Sequence, residues 1–283
     1  ESLAFPEFPA DDREGGARQG AAGADQVAVR VSMSQQAEPE NQAVTRSGAP
    51  PAAAGGMADD LLAVAALLLM TVATGESRLS GVALSHEMTV AIAAARAFDA
   101  TVTVVPDGLV VSGLGTGVLL EPTQSIDVTG APLTTALMIG LVSSHEVAVT
   151  VIGAEAKALA TLFLPIGLQI EDQGEGGVSV QGSRTPPPAR WNVGAGDPVK
   201  TLAILMSALN TPGLTLIEQE GEARLPIARL FQRFGAGFSV EAGAQGKFTL
   251  RMTGRRPLTA ASIDLIAFSS DDLRRSVFEP PRR

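Results

Sequence analysis

The chain carries two histidines, His86 and His145, and each is followed by a glutamate. An imidazole beside a carboxylate is the raw material of a general base or a metal site. Here the two dipeptides lie far apart in sequence, and two imidazoles are too few for a His-based metal centre, so no metal site is expected. With no cysteine, a zinc-thiolate site, an iron–sulfur cluster, a disulfide framework and a thiol nucleophile are all excluded. A glycine-spaced stretch, Gly113-x-Gly115-x-Gly117, follows a Val/Leu strand but runs into VLLEP, not a helix. Without a helix N-terminus it reads as a turn and not as a phosphate cradle.

The net charge is −9 and the pI about 4.8, with 4% aromatic residues. A nucleic-acid groove needs clustered Lys and Arg, and single strands need aromatic stacking platforms, so neither is expected. The most apolar run, residues 61–73, is shorter than the roughly 20 residues that cross a bilayer. Asp59 and Asp60 precede it, whereas a secretory signal has a basic flank near the N-terminus. A buried helix in a cytoplasmic protein is the expectation. No cofactor is indicated.

Residues 1–56 contain 13 Ala and eight acidic residues against four Arg, with few large apolar side chains. Such a composition buries too little apolar area to offset chain entropy. The segment is expected to be flexible, with one short strand at 27–31 and a Pro/Ala/Gly linker at its end. Residues 57–270 alternate apolar helical stretches with short Val/Leu/Thr strands, an α/β pattern. Residues 271–283 form a basic, proline-containing tail with Arg274, Arg275, Arg282 and Arg283, read as a solvated end or a docking peptide.

The middle region repeats. Met70, Met138 and Met206 recur at one spacing in three apolar helices, and Asp99, Gly167 and Gly235 recur at the same spacing ahead of strands. Gly-opened strands begin at 108, 176 and 246. Three units of about 68 residues, each helix–strand–helix–strand–strand and completed by a preceding strand, predict three βαβαββ repeats. Packed around a common axis, they would bury the Ala/Leu/Met helices and leave the sheets outside. The residue after each second helix fits a left-handed cap.

Several stretches carry a family resemblance: GESRLSG at 75–81, SGLGTGVLLEP at 112–122, IDVTGAPLTTALMIGLV at 126–142, GSRTPPPARW at 182–191 and VKTLAILMSALNTPG at 199–213. Together, in order, they resemble the enolpyruvyltransferases, and among them EPSP synthases of bacterial type. The opening LAFPEF also resembles a stretch near that family's C-terminus. The resemblance implies one lobe of an enolpyruvyltransferase-like fold, where the family has two lobes of three units and a cleft between them. It implies enolpyruvyl transfer from phosphoenolpyruvate to shikimate 3-phosphate.

That reaction needs cations for two phosphates and a carboxylate. The family's Lys-Ser-x-Ser-His-Arg motif falls on Asp60, Leu61, Ala63, Val64 and Ala65. Its Asn and Arg around the second helix fall on Gly130 and Ala136; Asp127 is kept, and is expected to cap that helix. The Arg-Pro-Met motif has no counterpart, and Lys157 is a poor substitute. Of Ser-Ala-Gln-Val-Lys only Val199 and Lys200 remain, and of Arg-Asp-His-Thr-Glu only Arg224. Lys200 and Arg224 are the candidate substrate-binding residues; no catalytic residue is assigned. Asp59 or Asp60 reads as a helix N-cap. A carboxylate about 4 Å from an anionic ligand repels it by roughly 4 kcal/mol at an effective dielectric near 20. Each lost charged hydrogen bond removes about 1.5–3 kcal/mol more. The expected function is therefore a non-catalytic relative that binds a protein partner or itself. The alternative is an EPSP synthase, or part of one completed by a second lobe, binding shikimate 3-phosphate and phosphoenolpyruvate.

Overall fold

A helix apolar on every side has to be surrounded by protein. Residues 61–73 meet that condition within α1 (Met57–Thr71) and just beyond it, with every residue from Ala63 to Ala73 at 2% exposure or less. The structure is a computed structural model and describes residues 57–174, 176–195, 197–220, 226–243 and 246–272. The expected flexible segment 1–56 with its strand at 27–31, Arg224, and the tail beyond residue 272 lie outside the described residues.

After α1 come β1 (Thr74–Ser80), α2 (His86–Ala97), β2 (Thr101–Val105) and β3 (Gly108–Leu114). Next are β4 (Ile126–Asp127), α3 (Pro132–Val142), β5 (Ala148–Ile152), α4 (Ala156–Thr161), a 3-10 turn at Leu164–Ile166, β6 (Gln169–Gly174) and β7 (Gly177–Gln181). Then follow β8 (Arg190–Ala195), α5 (Pro198–Ala208), β9 (Leu214–Glu220), α6 (Pro226–Arg233), β10 (Gly237–Ala242) and β11 (Lys247–Thr253), and last β12 (Ser262–Asp264) and α7 (Leu265–Asp272). The α/β class expected from the sequence is what the chain adopts.

The strands form three four-stranded sheets, ordered β12-β1-β3-β2, β4-β5-β7-β6 and β8-β9-β11-β10. In each, the first pair is parallel and the other two are antiparallel. Strand residues alternate between buried and exposed, as in β5, β7 and β11, so each sheet keeps one face on the core. The other side of that core is helical. Residues 133–142 of α3 and 201–208 of α5 are buried like those of α1. These three inner helices touch one another. Between α3 and α5 the backbones approach so closely that a Cβ on Gly140 would lie 2.2 Å from the Ala203 carbonyl oxygen. One turn on, the Ser143 hydroxyl donates to Ser207 Oγ at 2.8 Å.

The C-terminal end of each inner helix meets a glycine that ends or follows the third strand of a sheet. A Cβ on Gly113 would lie 2.2 Å from the Met70 carbonyl oxygen, one on Gly182 2.0 Å from that of Val142, and one on Gly254 2.4 Å from that of Ala208. These contacts align Met70 with Val142 and Ala208, so Met138 stands about one turn away from Met70's place and Met206 about half a turn away. Three methionines at one spacing do not mark one structural position. Buried apolar helices accept methionine at many points because its unbranched side chain fits irregular gaps.

Asp99, Gly167 and Gly235, by contrast, all adopt left-handed backbone, with φ of 76°, 94° and 80°. Asp99 alone of the three carries a Cβ there, at an energetic cost that glycine avoids. Asp99→Gly is expected to raise the unfolding free energy by about 0.5 kcal/mol once the added freedom of the unfolded chain is subtracted, read as a higher urea midpoint. A lowered midpoint would mean that the aspartate side chain makes a stabilising contact larger than its strain.

Candidate functional site

Of the positions to which the family motifs map, Asp60 to Ala65, Gly130, Ala136, Val199 and Lys200 stand at or near the N-terminal ends of the inner helices. α1 begins two residues before Asp59, so Asp59 and Asp60 stand inside the first turn and neither is the N-cap that the sequence reading expects. The Asp60 carboxylate instead accepts the Ser85 hydroxyl at 2.8 Å, and Ser85 in turn caps α2 by accepting from the Met88 N–H. The start of α1 is thereby tied to the start of α2.

α2 is tied to α3 in the same way. The Glu87 carboxylate accepts the backbone N–H groups of Leu133 at 3.0 Å and Thr134 at 2.9 Å, and the Thr134 hydroxyl at 2.7 Å. Four N–H groups at a helix start have no partner within the helix, and an acid there also meets the positive end of the helix dipole. Glu87 supplies what Ala131, the N-cap of α3, lacks a side chain to give. Asp127 was expected in that role and does not take it. Its carboxylate accepts the N–H of Thr129, two residues on, in a local turn. Hydrogen bonds from Thr129 hold its pKa below the usual carboxylate value, with a smaller contribution from His86. The His86 Nε2–H donates to the Thr129 carbonyl at 2.8 Å, which commits this imidazole to fastening the loop before α3.

α5 starts at Pro198, with Asp197 as N-cap accepting the Lys200 N–H at 2.9 Å. Proline at the first position is pre-set for the helix and has no N–H to leave unpaired. Between the starts of α3 and α5 and the flank of α4 lies a cleft of about 490 Å³. Ala136, Val199 and Lys200, three of the mapped motif positions, line it. Leu133, Leu159, Leu162 and Phe163 make most of its wall apolar. Among its described lining residues the charged ones are Glu155, Asp197 and Lys200, two carboxylates to one ammonium.

Other predicted residues are placed elsewhere. Lys157 pairs with Asp172 on the exposed side of α4 and β6, and this hydrogen bond is the main reason why the Asp172 pKa lies below its ordinary value. His145 follows α3 at the opposite, C-terminal end of the inner helices, so the two imidazoles are not brought together. Among the described residues no group of three or more His, Cys, Asp or Glu is placed to hold a metal ion, and no helix is long and apolar enough to cross a membrane. The reading of the sequence missed Glu87. The Ser-x-x-Met spacing marks the start of α2, but no local signal says that the acid within it reaches a different helix.

No family model matches the chain. Curated proteins do. The chain is 30% identical over 202 residues to the 3-phosphoshikimate 1-carboxyvinyltransferase of Rhizobium johnstonii, covering 68% of this chain and 44% of that protein. It is 27% identical over 206 residues to the enzyme of the same name from Novosphingobium aromaticivorans, covering 70% and 47%. The Pseudomonas sp. (strain PG2982) enzyme matches at 26% over 241 residues, covering 82% and 54%. The chain thus spans about half the length of the curated relatives it matches. Among solved structures, an EPSP synthase from Acinetobacter baumannii superposes with a TM-score of 0.63 at 18% identity, over 72% of this chain and 47% of the other. The fold is that of an EPSP synthase in part, and the sequence relatives are EPSP synthases.

Proposed function

We propose that this chain, related over about 70% of its length to EPSP synthases, is one lobe of that fold put to a non-catalytic use, as a structural or protein-binding unit. The lobe comprises residues 57–270, built from three βαβαββ repeats. Three sheets of like strand order and three left-handed residues at Asp99, Gly167 and Gly235 support that subdivision. The observation that carries the functional reading is the charge of the cleft at the starts of α3 and α5. A site for two phosphorylated substrates needs several fixed cations, and among its described lining residues this one has Lys200 against Glu155 and Asp197. Its other mapped positions, Ala136 and Val199, are apolar. Asp60, in place of a lysine, spends its carboxylate on Ser85. The protein works in the cytoplasm, with a partner protein or a second copy of itself.

Calorimetry on the full chain with shikimate 3-phosphate and phosphoenolpyruvate, singly and together, is expected to give no heat of binding. Micromolar binding of either, or enolpyruvyl transfer by the chain alone, would overturn the reading. A chain that stays monomeric and captures no partner would remove the structural version of it.

One observation favours a second reading. The chain matches its relatives over about half their length, so a separately supplied second lobe could bring the missing cations. Lys200 and Arg224 would then be its contribution to substrate binding, and adding that lobe would restore turnover.

A further inference from the structure

The other pole of the inner helices holds a second cleft, of about 760 Å³. Thr74 after α1, His145 after α3 and Asn210 after α5 all line it, so the C-terminal ends of the three helices converge there. Arg184, Arg255, Glu146 and Thr116 complete its polar lining. None of the mapped substrate-motif positions lies in it, although Thr116, Gly117, Val118, Leu119 and Arg184 belong to stretches that carry the family resemblance.

Its distinguishing group is His145. This imidazole is 3% exposed, and its Nδ1–H donates to the Leu141 carbonyl at 2.8 Å. Burial lowers its pKa, so near neutral pH the ring is uncharged and Nε2 presents a bare lone pair. Nε2 is buried and has no hydrogen-bond partner among the described residues. An unsatisfied buried acceptor costs about 1–3 kcal/mol, which a ligand's donor would recover once the side chains over Nε2 move aside to admit it.

Of the two cations of the cleft, Arg255 is held in place. Arg255 has left-handed backbone at φ 57° and spends Nε on the Asn210 carbonyl and one Nη on the Arg184 carbonyl. That fixes its guanidinium plane beside the end of α5, where a cation also suits the negative end of the helix dipole. Arg184 is 3.6 Å from the Glu146 carboxylate and mostly exposed. One cleft therefore offers guanidinium donors together with a neutral imidazole acceptor and one carboxylate. We propose that it binds a small carboxylic acid bearing a hydroxyl or ammonium group next to the carboxylate. The carboxylate would face Arg184 and Arg255, and the neighbouring O–H or N–H would donate to His145 Nε2. A plain carboxylate has no proton to give and leaves that lone pair unpaired, so the site discriminates against it. Glu146 and the converging helix ends favour the ammonium form, while the arginines, which repel an ammonium, favour the hydroxy acid.

The chain has only two histidines, which makes the imidazole nitrogens readable by NMR on the full protein labelled with 15N-histidine. Lactate, serine and acetate are the probes. Lactate or serine is expected to move the His145 Nε2 resonance saturably at about millimolar concentration, while acetate leaves it in place and His86, at the other pole, does not respond. Lactate alone would identify a hydroxy acid as the ligand class, serine alone an amino acid. Arg184→Gln, on an exposed side chain, is expected to weaken the effect about tenfold. No saturable shift with either acid, an equal shift with acetate, or an unchanged affinity in Arg184→Gln would overturn the proposal. A resonance that already reports an accepted hydrogen bond in ligand-free buffer would assign Nε2 to a bound water and overturn it too.

Discussion

Gly140→Val is expected to unfold the lobe or bring it to the edge of unfolding. A Cβ at this position would stand 2.2 Å from the Ala203 carbonyl oxygen and 3.0 Å from the Ala203 Cα. Both are backbone atoms inside α5 and have no rotamer to escape into. Relief would require α3 and α5 to separate along a seam where every residue is buried. Separation would also stretch the Ser143–Ser207 hydrogen bond one turn away. Overpacking a core usually costs about 1–3 kcal/mol, and a backbone-to-backbone clash belongs at or above the top of that range. Against a total stability of about 5–15 kcal/mol, that is a large share of the folded margin. The check is urea denaturation followed by circular dichroism, with Gly194→Ala as control. Gly194 has open space around its Cβ position and no left-handed backbone, so that variant should stay within about 0.5 kcal/mol of the parent. Equal midpoints for Gly140→Val and the parent would mean that the two helices are not in backbone contact.

Glu87→Ala is expected to cost about 3 kcal/mol, because it removes a charged partner from two backbone N–H groups and one hydroxyl at once. Thr134 is fully buried, so its groups cannot turn to water. The Thr134 hydroxyl retains the Glu87 backbone carbonyl at 3.0 Å, which limits the loss. Glu87→Gln keeps an acceptor oxygen but exchanges the other for a donor facing an N–H or O–H, and should fall between Glu87→Ala and the parent. Amide hydrogen exchange gives the local readout: faster exchange at Leu133 and Thr134 in Glu87→Ala, with the C-terminal turn of α3 unaffected. Unchanged protection at those two amides would show that Glu87 does not cap α3.

Much of the architecture was legible because local chemistry and tertiary role coincide. A run as apolar as 61–73, too short to cross a bilayer, has one stable place, the interior, and Gly167 and Gly235 mark turns that only left-handed backbone can make. The methionines show the limit of the same method. Their even spacing is a fact of sequence, but inner helices tolerate any apolar residue that fills its gap, so spacing there does not carry position. The acids show a second limit. Asp60, Glu87 and Asp127 are alike as sequence features of helix starts. One ties α1 to α2, one caps α3 from a neighbouring helix, and one closes a local turn.

What the sequence by itself determined is the α/β class, the inner helices with the strands around them and the likeness to EPSP synthases, a resemblance that implies Ala, Val and Asp where the family's motifs carry cations. These follow from side-chain type and order along the chain, which hold whatever the three-dimensional partners are. Only the tertiary structure decided which acid meets which helix start, that Ala136, Val199 and Lys200 share one cleft with Glu155 and Asp197, and that His145 Nε2, at the opposite pole, meets no donor among the described residues. Each of these depends on groups distant in sequence that the packing of the inner helices brings within hydrogen-bond or van der Waals reach. At that range, hydrogen bonding and desolvation are set by the neighbours a side chain finds and not by the residues beside it in the chain.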